Sequence, residues 1–429
     1  MAKLATLTED YATAPVPEDK TYGGWRIGFV LGGIGIALPA FLSGAEVGVA
    51  LGYEQSIIAF LAAAALVTTM AIASGMVGMK SRLSTYMILQ FPFGRYGAKF
   101  VNAAFAIAQC GWFGVNAYFF GAAAESVGRQ TLGLEAPSSV YIIAGGALMT
   151  LATIFGYKAL DRIAMVVFPL MIATLAVMTA RTFAETDLPT LSAIAGDGSL
   201  TFMQSMTVLA GGIIVGVLLV PDLTRYARRP VDVVIAAVIA LTIIETLVHA
   251  AASGAAILFT ELDPLALMLA LGFGSFAFIF LIAASVTTNA VNLYGSGLAL
   301  TSIFPGGKEW AFVVMTGVVG SLAAIFEISA FFIDFLVWQS VIFSSVLGVY
   351  LIDFFFVNGQ DYRLERLDGA PPVRASALFA WGVGAATAAA AFTEQWTFTS
   401  IPNLDGVIAG GGAYFVLRRV LGEKREALS

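Results

Sequence analysis

Histidine and cysteine occur once each in this chain of 429 residues, and only 12% of it is charged. The lone Cys110 excludes an intramolecular disulfide and, lying in an apolar run, reads as a small buried residue. No nucleotide-binding loop, zinc motif or separate soluble domain is present, which argues against an ATP-driven pump. The apolar runs hold no converged nucleophile, base or metal set, so an enzyme is not expected. Charge this sparse also excludes a soluble domain, which carries about twice as much. What fills the chain is apolar: 59% hydrophobic residues and a mean hydropathy of +0.88.

The chain is therefore a polytopic, all-α membrane protein. Runs long enough to span a bilayer, about 20 residues each, recur near 26–52, 56–79, 99–124, 138–156, 160–184, 202–224, 231–259, 270–303, 309–327, 328–357, 374–393 and 402–420. The net charge of −6 says little about partners, because the placement of Lys and Arg decides orientation. With a cytoplasmic N-terminus, every one of the 22 basic residues except Arg129 and Arg181 falls on the inner side. That fits an even number of spans in the inner or plasma membrane, with both termini cytoplasmic. The first 24 residues are polar, contain Pro15 and Pro17, and read as a loosely ordered cytoplasmic tail rather than a cleavable signal.

The chain is organised around GGIGIALPAF, Gly32 to Phe41, inside the first run. Three glycines and a proline at membrane depth predict a broken helix. The sixth run carries the same device, Gly211, Gly212 and Gly216 followed by Pro221, and predicts a second break. Breaks in corresponding positions of two halves point to a transporter's binding site. The charged loop 357–374 separates ten spans from two. Ten spans divide into five and five of opposite topology, an inverted repeat with broken helices 1 and 6. The expected units are a tail 1–24, repeats 25–185 and 200–357, two further helices in 374–420, and a tail 421–429.

Polar residues inside the runs are few. Gln109, Trp112 and Asn116 share one face of the third run; a buried amide must face protein, so this face points inward. Helix-to-helix hydrogen bonding explains any one of them equally well. The eighth run holds the densest cluster, Thr287, Thr288, Asn289 and Asn292. Neutral hydroxyls with carbonyls freed at a helix break suit a hard cation such as sodium, although a single Thr often just bonds its own helix. Glu245 and His249, four apart in the seventh run, could relay a proton or satisfy each other; the mutual pair is preferred. Glu46 reads as reaching the outer interface, and Asp222 with Arg225 as a local pair. In the inner loop Lys80 to Phe100, the aromatics either pack at the inner mouth or anchor the interface.

Taken together, GGIGIALP, RLSTYMILQFPFGRYG, QCGWFGVNAYFF, PDLTRYAR and TTNAVNLYGSGL resemble the nucleobase-cation symporter family of the purine/cytosine permease type, nearest its bacterial cytosine permeases. The resemblance covers most of the chain to about residue 360. It implies the five-plus-five fold with two trailing helices and alternating access. It implies a sodium site from the carbonyls of Gly33, Ile36 and Ala284 and the hydroxyls of Thr287 and Thr288, with sodium as coupling ion and no cofactor. It implies a substrate stacked on Trp112 and bonded by Gln109 and Asn289, with Asn292 of the same cluster counted beside them. On the sixth helix the family's aromatic and serines are replaced by Gly212, Ile213 and Val215. Cytosine, a hydroxymethylpyrimidine, a hydantoin or another purine or pyrimidine thus stays open as substrate.

The expected function is import of a nucleobase-like heterocycle by sodium symport. The alternatives are proton-coupled import, with Glu245 and His249 as carriers, and a non-transporting membrane sensor of the same ligand. The expected partners are the small heterocycle and lipid, with no nucleic acid and no obligate protein partner.

Overall fold

The computed structural model describes residue 11 and residues 14–36, 38–154, 157–393 and 395–421. Helices occupy all twelve apolar runs, and each is named below by its run. The first run holds a broken pair, Gly24–Gly35 and Leu38–Leu51. Then come Tyr53–Ser81, Gly97–Leu132, Ser138–Ile154, Tyr157–Glu185, Phe202–Thr224, Pro230–Phe259, Ser275–Ile303, Glu309–Ile325, Phe332–Ile352, Ala375–Phe392 and Pro402–Val420. The second, sixth, seventh, eighth, tenth and eleventh are each long and apolar enough to cross a membrane. Among the described residues β-pairing is limited to two isolated bridges, Tyr22 with Ala227 and Gly52 with Ala195. Of the basic residues behind the expected topology, Lys3, Lys424 and Arg425 lie outside the described residues, as do the side chains of Lys158 and Arg162.

The break in the first helix is present. Its first half stops at Ile36, whose φ of −82° and ψ of 67° leave the helical region, and the second half resumes at Leu38. Pro39 is the cause: it has no N–H for the carbonyl four residues back, and its ring crowds that carbonyl. Several of the glycines nearby do something else. A methyl at Gly44 would lie 2.7 Å from the His249 Cα, and one at Gly32 would lie 2.3 Å from the Ile244 Cδ1. They let the first and seventh helices approach backbone to backbone, the small-residue packing that membrane helices favour.

The break expected in the sixth helix is absent: Phe202–Thr224 is continuous through all three glycines and through Pro221. Two packing facts account for this. Gly211 faces the tenth helix so closely that a methyl there would lie 2.7 Å from the Leu336 carbonyl oxygen, so its glycine serves contact rather than unwinding. Pro221 deprives the Val217 carbonyl of its helical donor, and the Ser74 hydroxyl of the second helix donates to that carbonyl instead, at 2.8 Å. The next carbonyl, Leu218, accepts from the Thr85 hydroxyl at 3.3 Å. At the other end a capping box of Thr201 and Gln204 fixes the start of the helix.

Of the expected tail, residues 1–10, 12 and 13 lie outside the described residues, and the stretch 14–22 is more ordered than its polarity suggests. Val16 is buried, and its N–H donates to the Arg82 carbonyl at 3.0 Å. Tyr22 N–H donates to the Tyr226 carbonyl, and Arg225 reaches back to the Tyr11 carbonyl at 2.9 Å. Pro15 and Pro17 keep this stretch extended, which frees its main chain to bond the connection after the sixth helix. The inner loop between the second and third helices packs inward: Tyr86, Phe91 and Phe93 are buried, while Tyr96 and Phe100 are exposed. Phe91 stacks on Tyr362 at 3.9 Å. Tyr362, Tyr414 and Asn358 all donate to the buried Asp353 carboxylate, which ties the 357–374 linker and the twelfth helix to the end of the tenth.

Packing sorts the helices into two sets. The first packs on the seventh and the second on the sixth; the third packs on the eighth and ninth, and the fourth on the ninth. The cavity described next lies between these sets.

Candidate substrate and ion sites

A cavity of about 190 Å³ opens beside the break in the first helix, where Gly35, Pro39 and Ser43 form one wall. It is smaller than a drug-sized pocket, about 300–1,000 Å³, and suits a compact ligand. The third helix supplies Gln109, Trp112 and Asn116, the sixth Gly212, Ile213 and Val215, and the eighth Thr288 and Asn292. Its far end reaches Tyr86, Arg225 and Tyr226, beside the N-terminal segment.

Trp112 is fixed from the tenth helix. Its indole N–H donates to the Gln339 Oε1 at 2.7 Å, and the rings of Phe332 and Phe335 meet it edge-on at 6.1 and 5.4 Å. Those contacts hold a flat aromatic wall in one orientation. Gln109 lies against Gly295, where a methyl would come within 2.7 Å of its Nε2, and the Tyr86 hydroxyl donates to the Gly295 carbonyl at 2.9 Å. Asn116 Nδ2 donates to the Trp112 carbonyl at 2.8 Å, which orients the amide. Its Oδ1 is buried with no partner among the described residues.

Asn289 is not on the cavity wall. Fully buried, it donates to the Phe113 carbonyl at 3.1 Å and accepts from Asn292 Nδ2 at 3.1 Å. The Phe113 carbonyl thereby sets which way both amides point, and only Asn292 faces the cavity.

Toward the first helix the eighth presents Ala284, Thr287 and Thr288, all buried. Thr287 Oγ1 donates to the Ala283 carbonyl at 2.7 Å, the back-bond common for Thr in a helix. Thr288 Oγ1 is buried and has no partner among the described residues. Ile36 and Ala284 belong to one buried cluster, joined by an edge-on contact of Phe41 with Phe280 at 5.7 Å. Gly33 follows Gly32, whose carbonyl accepts the Ile36 N–H at the end of this half-helix. Among the described residues no three His, Cys, Asp or Glu side chains gather as metal ligands. A cation here would be held by hydroxyls and carbonyls.

The structure adds two wall residues that the sequence reading had kept as a mutual pair: Glu245 and His249 both line the cavity. His249 Nε2 lies 3.9 Å from Glu245 Oε1, beyond hydrogen-bond reach. The imidazole packs beside the Phe60 ring at 5.2 Å. Glu245 follows a π-helical stretch, Val238–Ile244, which re-aims the residues after it. Its Oε2 is buried without a partner among the described residues, and a methyl at Gly35 would lie 2.5 Å from that atom. A carboxylate thus abuts the helix break. An intramembrane acid is itself a functional signal; its i, i+4 histidine disguised it.

A family model described as permeases for cytosine/purines, uracil, thiamine and allantoin matches residues 15–412. The chain belongs to that family. The cytosine permeases of Escherichia coli K12 and of Escherichia coli O157:H7 are each 26% identical to it over 422 residues, covering 97% of this chain and 96% of theirs. In fold it matches Mhp1, a nucleobase-cation-symport-1 family transporter solved in a closed conformation with bromovinylhydantoin bound. That match has a TM-score of 0.86 at 17% identity and covers 97% of both chains. The inward-facing conformation of Mhp1 follows at 0.84 and 16%, covering 96% of this chain and 93% of that one. A sodium-coupled sialic acid symporter in an outward-open state matches at 0.71 and 14%, covering 98% and 94%. The permease is thus a multi-pass membrane protein with the inverted-repeat fold, from a family that moves small molecules.

Proposed function

We propose that this permease imports a nucleobase or related small heterocycle by sodium symport with alternating access, its termini cytoplasmic, and that it catalyses no chemical reaction. The observation that carries this reading is the cavity itself, bounded by the first-helix break, the fixed indole of Trp112 and the unpartnered Thr288 hydroxyl. Trp112 stacks the planar ring, while Gln109 and Asn292 bond its polar edge. Gly212, Ile213 and Val215 form the apolar wall opposite, and Asn289 acts through Asn292. Sodium is held by Gly33, Ile36, Ala284, Thr287 and Thr288. The ion joins the first helix to the eighth, and so one helix set to the other. Each ligand then tightens the other, since both favour the same arrangement of the two sets.

Counterflow of radiolabelled cytosine, uracil, adenine and hydantoin into proteoliposomes, with sodium or with potassium, tests the proposal. Sodium-dependent exchange of one of them is expected. Binding without exchange would instead make the protein a sensor. A second reading has one observation behind it, the presence of Glu245 and His249 on the wall: uptake driven by a pH gradient and indifferent to sodium would replace sodium coupling by proton coupling.

A further inference from the structure

Among the described residues the tenth helix contributes none to the cavity wall, yet three of its side chains meet Trp112. Phe332, Phe335 and Gln339 do so from one face of that helix. Gly111, beside Trp112, admits this face: a methyl there would lie 2.7 Å from the Phe335 Cε2. An indole nitrogen can only donate, so Gln339 must turn its Oε1 toward it. Its Nε2 then points back to its own helix, 3.4 Å from the Phe335 carbonyl. Trp112 is half-buried, and the torsion that turns its ring is broad. That torsion by itself chooses no ring setting, whereas the bond does. Turning the ring over takes the N–H from its acceptor and leaves the oxygen of Gln339, a residue only 3% exposed, without its donor.

We infer that Gln339 is a positioning residue for heterocycle binding: by taking the Trp112 indole N–H it keeps the ring in one setting on the wall, and it sets affinity without touching the ligand. This rests on the stacking role given to Trp112 above. A heterocycle that stacks on a ring already set gives up less freedom on binding than one that must order the ring as well. With its N–H taken, Trp112 offers the ligand its face and no hydrogen-bond donor, so the polar edge of the ligand is left to the amides of the third and eighth helices.

The test measures thermal stabilisation of the purified protein, in sodium, by cytosine, uracil, adenine and hydantoin, for wild type, Gln339→Met, Trp112→Phe and the double variant. Methionine fills a similar volume but is a weak acceptor, so Gln339→Met should weaken whichever probes bind by about 3- to 10-fold. Trp112→Phe keeps a ring face and has no N–H; on that background Gln339→Met should change affinity by less than about 2-fold. Unchanged affinity in Gln339→Met, or an equal loss on both backgrounds, overturns the inference and leaves transport standing, because the residue then acts through packing or not at all. A second readout is the Trp112 indole N–H resonance, identified by its loss in Trp112→Phe. In wild type it should exchange slowly with deuterium oxide. Exchange at the rate of an exposed indole overturns the inference, and this signal decides wherever a variant loses its cooperative melt or all binding. No stabilisation of the wild type by any of the four would strike at the transport reading and take this inference with it.

Discussion

Replacing Thr288 by Val removes one hydroxyl and keeps the branched shape. Because Thr288 Oγ1 has no partner among the described residues, its loss orphans nothing there. A buried hydroxyl without a hydrogen bond costs about 1–3 kcal/mol, so the sodium-free variant should melt at the same temperature as wild type or higher. With sodium the sign reverses. If Thr288 is a ligand, the ion loses one oxygen. Charge-assisted contacts of about 1.5–3 kcal/mol correspond to a rise of about 10- to 150-fold in the sodium needed for half-maximal stabilisation. The assay is a thermal melt of the purified protein across sodium concentrations, with potassium holding ionic strength constant. An unchanged sodium response would refute the ion site. A sodium-free variant that melts well below wild type would show that the hydroxyl has a structural partner, and would refute the reasoning from its isolation.

Trp112→Ala should abolish heterocycle binding while a cooperative melt survives; retained affinity in the same titration removes Trp112 from the substrate site. Gly44→Ala would press a methyl to 2.7 Å from the His249 Cα, main chain that cannot step aside. The first and seventh helices must then part, at a cost of about 1–3 kcal/mol, read as a lower apparent melting temperature. Ser74→Ala takes the donor from the Val217 carbonyl and the acceptor from the Tyr350 hydroxyl. It should cost about 1–3 kcal/mol; a melt identical to wild type would mean that Pro221 is accommodated in some other way.

Much of the fold was legible because a bilayer imposes long apolar runs, and those runs became helices wherever they were read. The first-helix break was legible as well, since Pro39 acts on the carbonyl of its own helix. Pro221 sends the same local signal, yet its helix survives through Ser74, 143 positions from the Val217 carbonyl it bonds. No window on the sixth run contains that partner. The glycines were ambiguous for a related reason: Gly211 reads identically whether it loosens a helix or admits a neighbour, and only the tenth helix decides. At the site, Gln109, Trp112 and Asn292 follow from the cost of burying polar groups in hydrocarbon. Asn289 does not, because the Phe113 carbonyl that turns it inward belongs to another helix. Glu245 was visible as a charge but not as a wall residue, since the π-helical stretch that aims it leaves no mark in the sequence.

The distribution of the unpartnered atoms bears on coupling. Asn116 lies on the third helix and Thr288 on the eighth, whereas Glu245 lies on the seventh, packed against the first. A ligand set that meets both groups of helices at once, ion on one side of the break and heterocycle on the other, satisfies all three atoms only when the sets are close. If each satisfied group contributes about 1–3 kcal/mol, three together give about 3–9 kcal/mol in favour of the closed arrangement. Swinging a two-state equilibrium from 1:99 to 99:1 needs about 5.5 kcal/mol. Either ligand alone, meeting one or two of the atoms, contributes about 1–6 kcal/mol, and the pair about 3–9 kcal/mol, so the pair shifts the equilibrium further than either ligand does by itself. Under the proposed symport, the mutual tightening of ion and heterocycle thus depends on where the orphaned atoms sit as well as on how tightly either ligand binds.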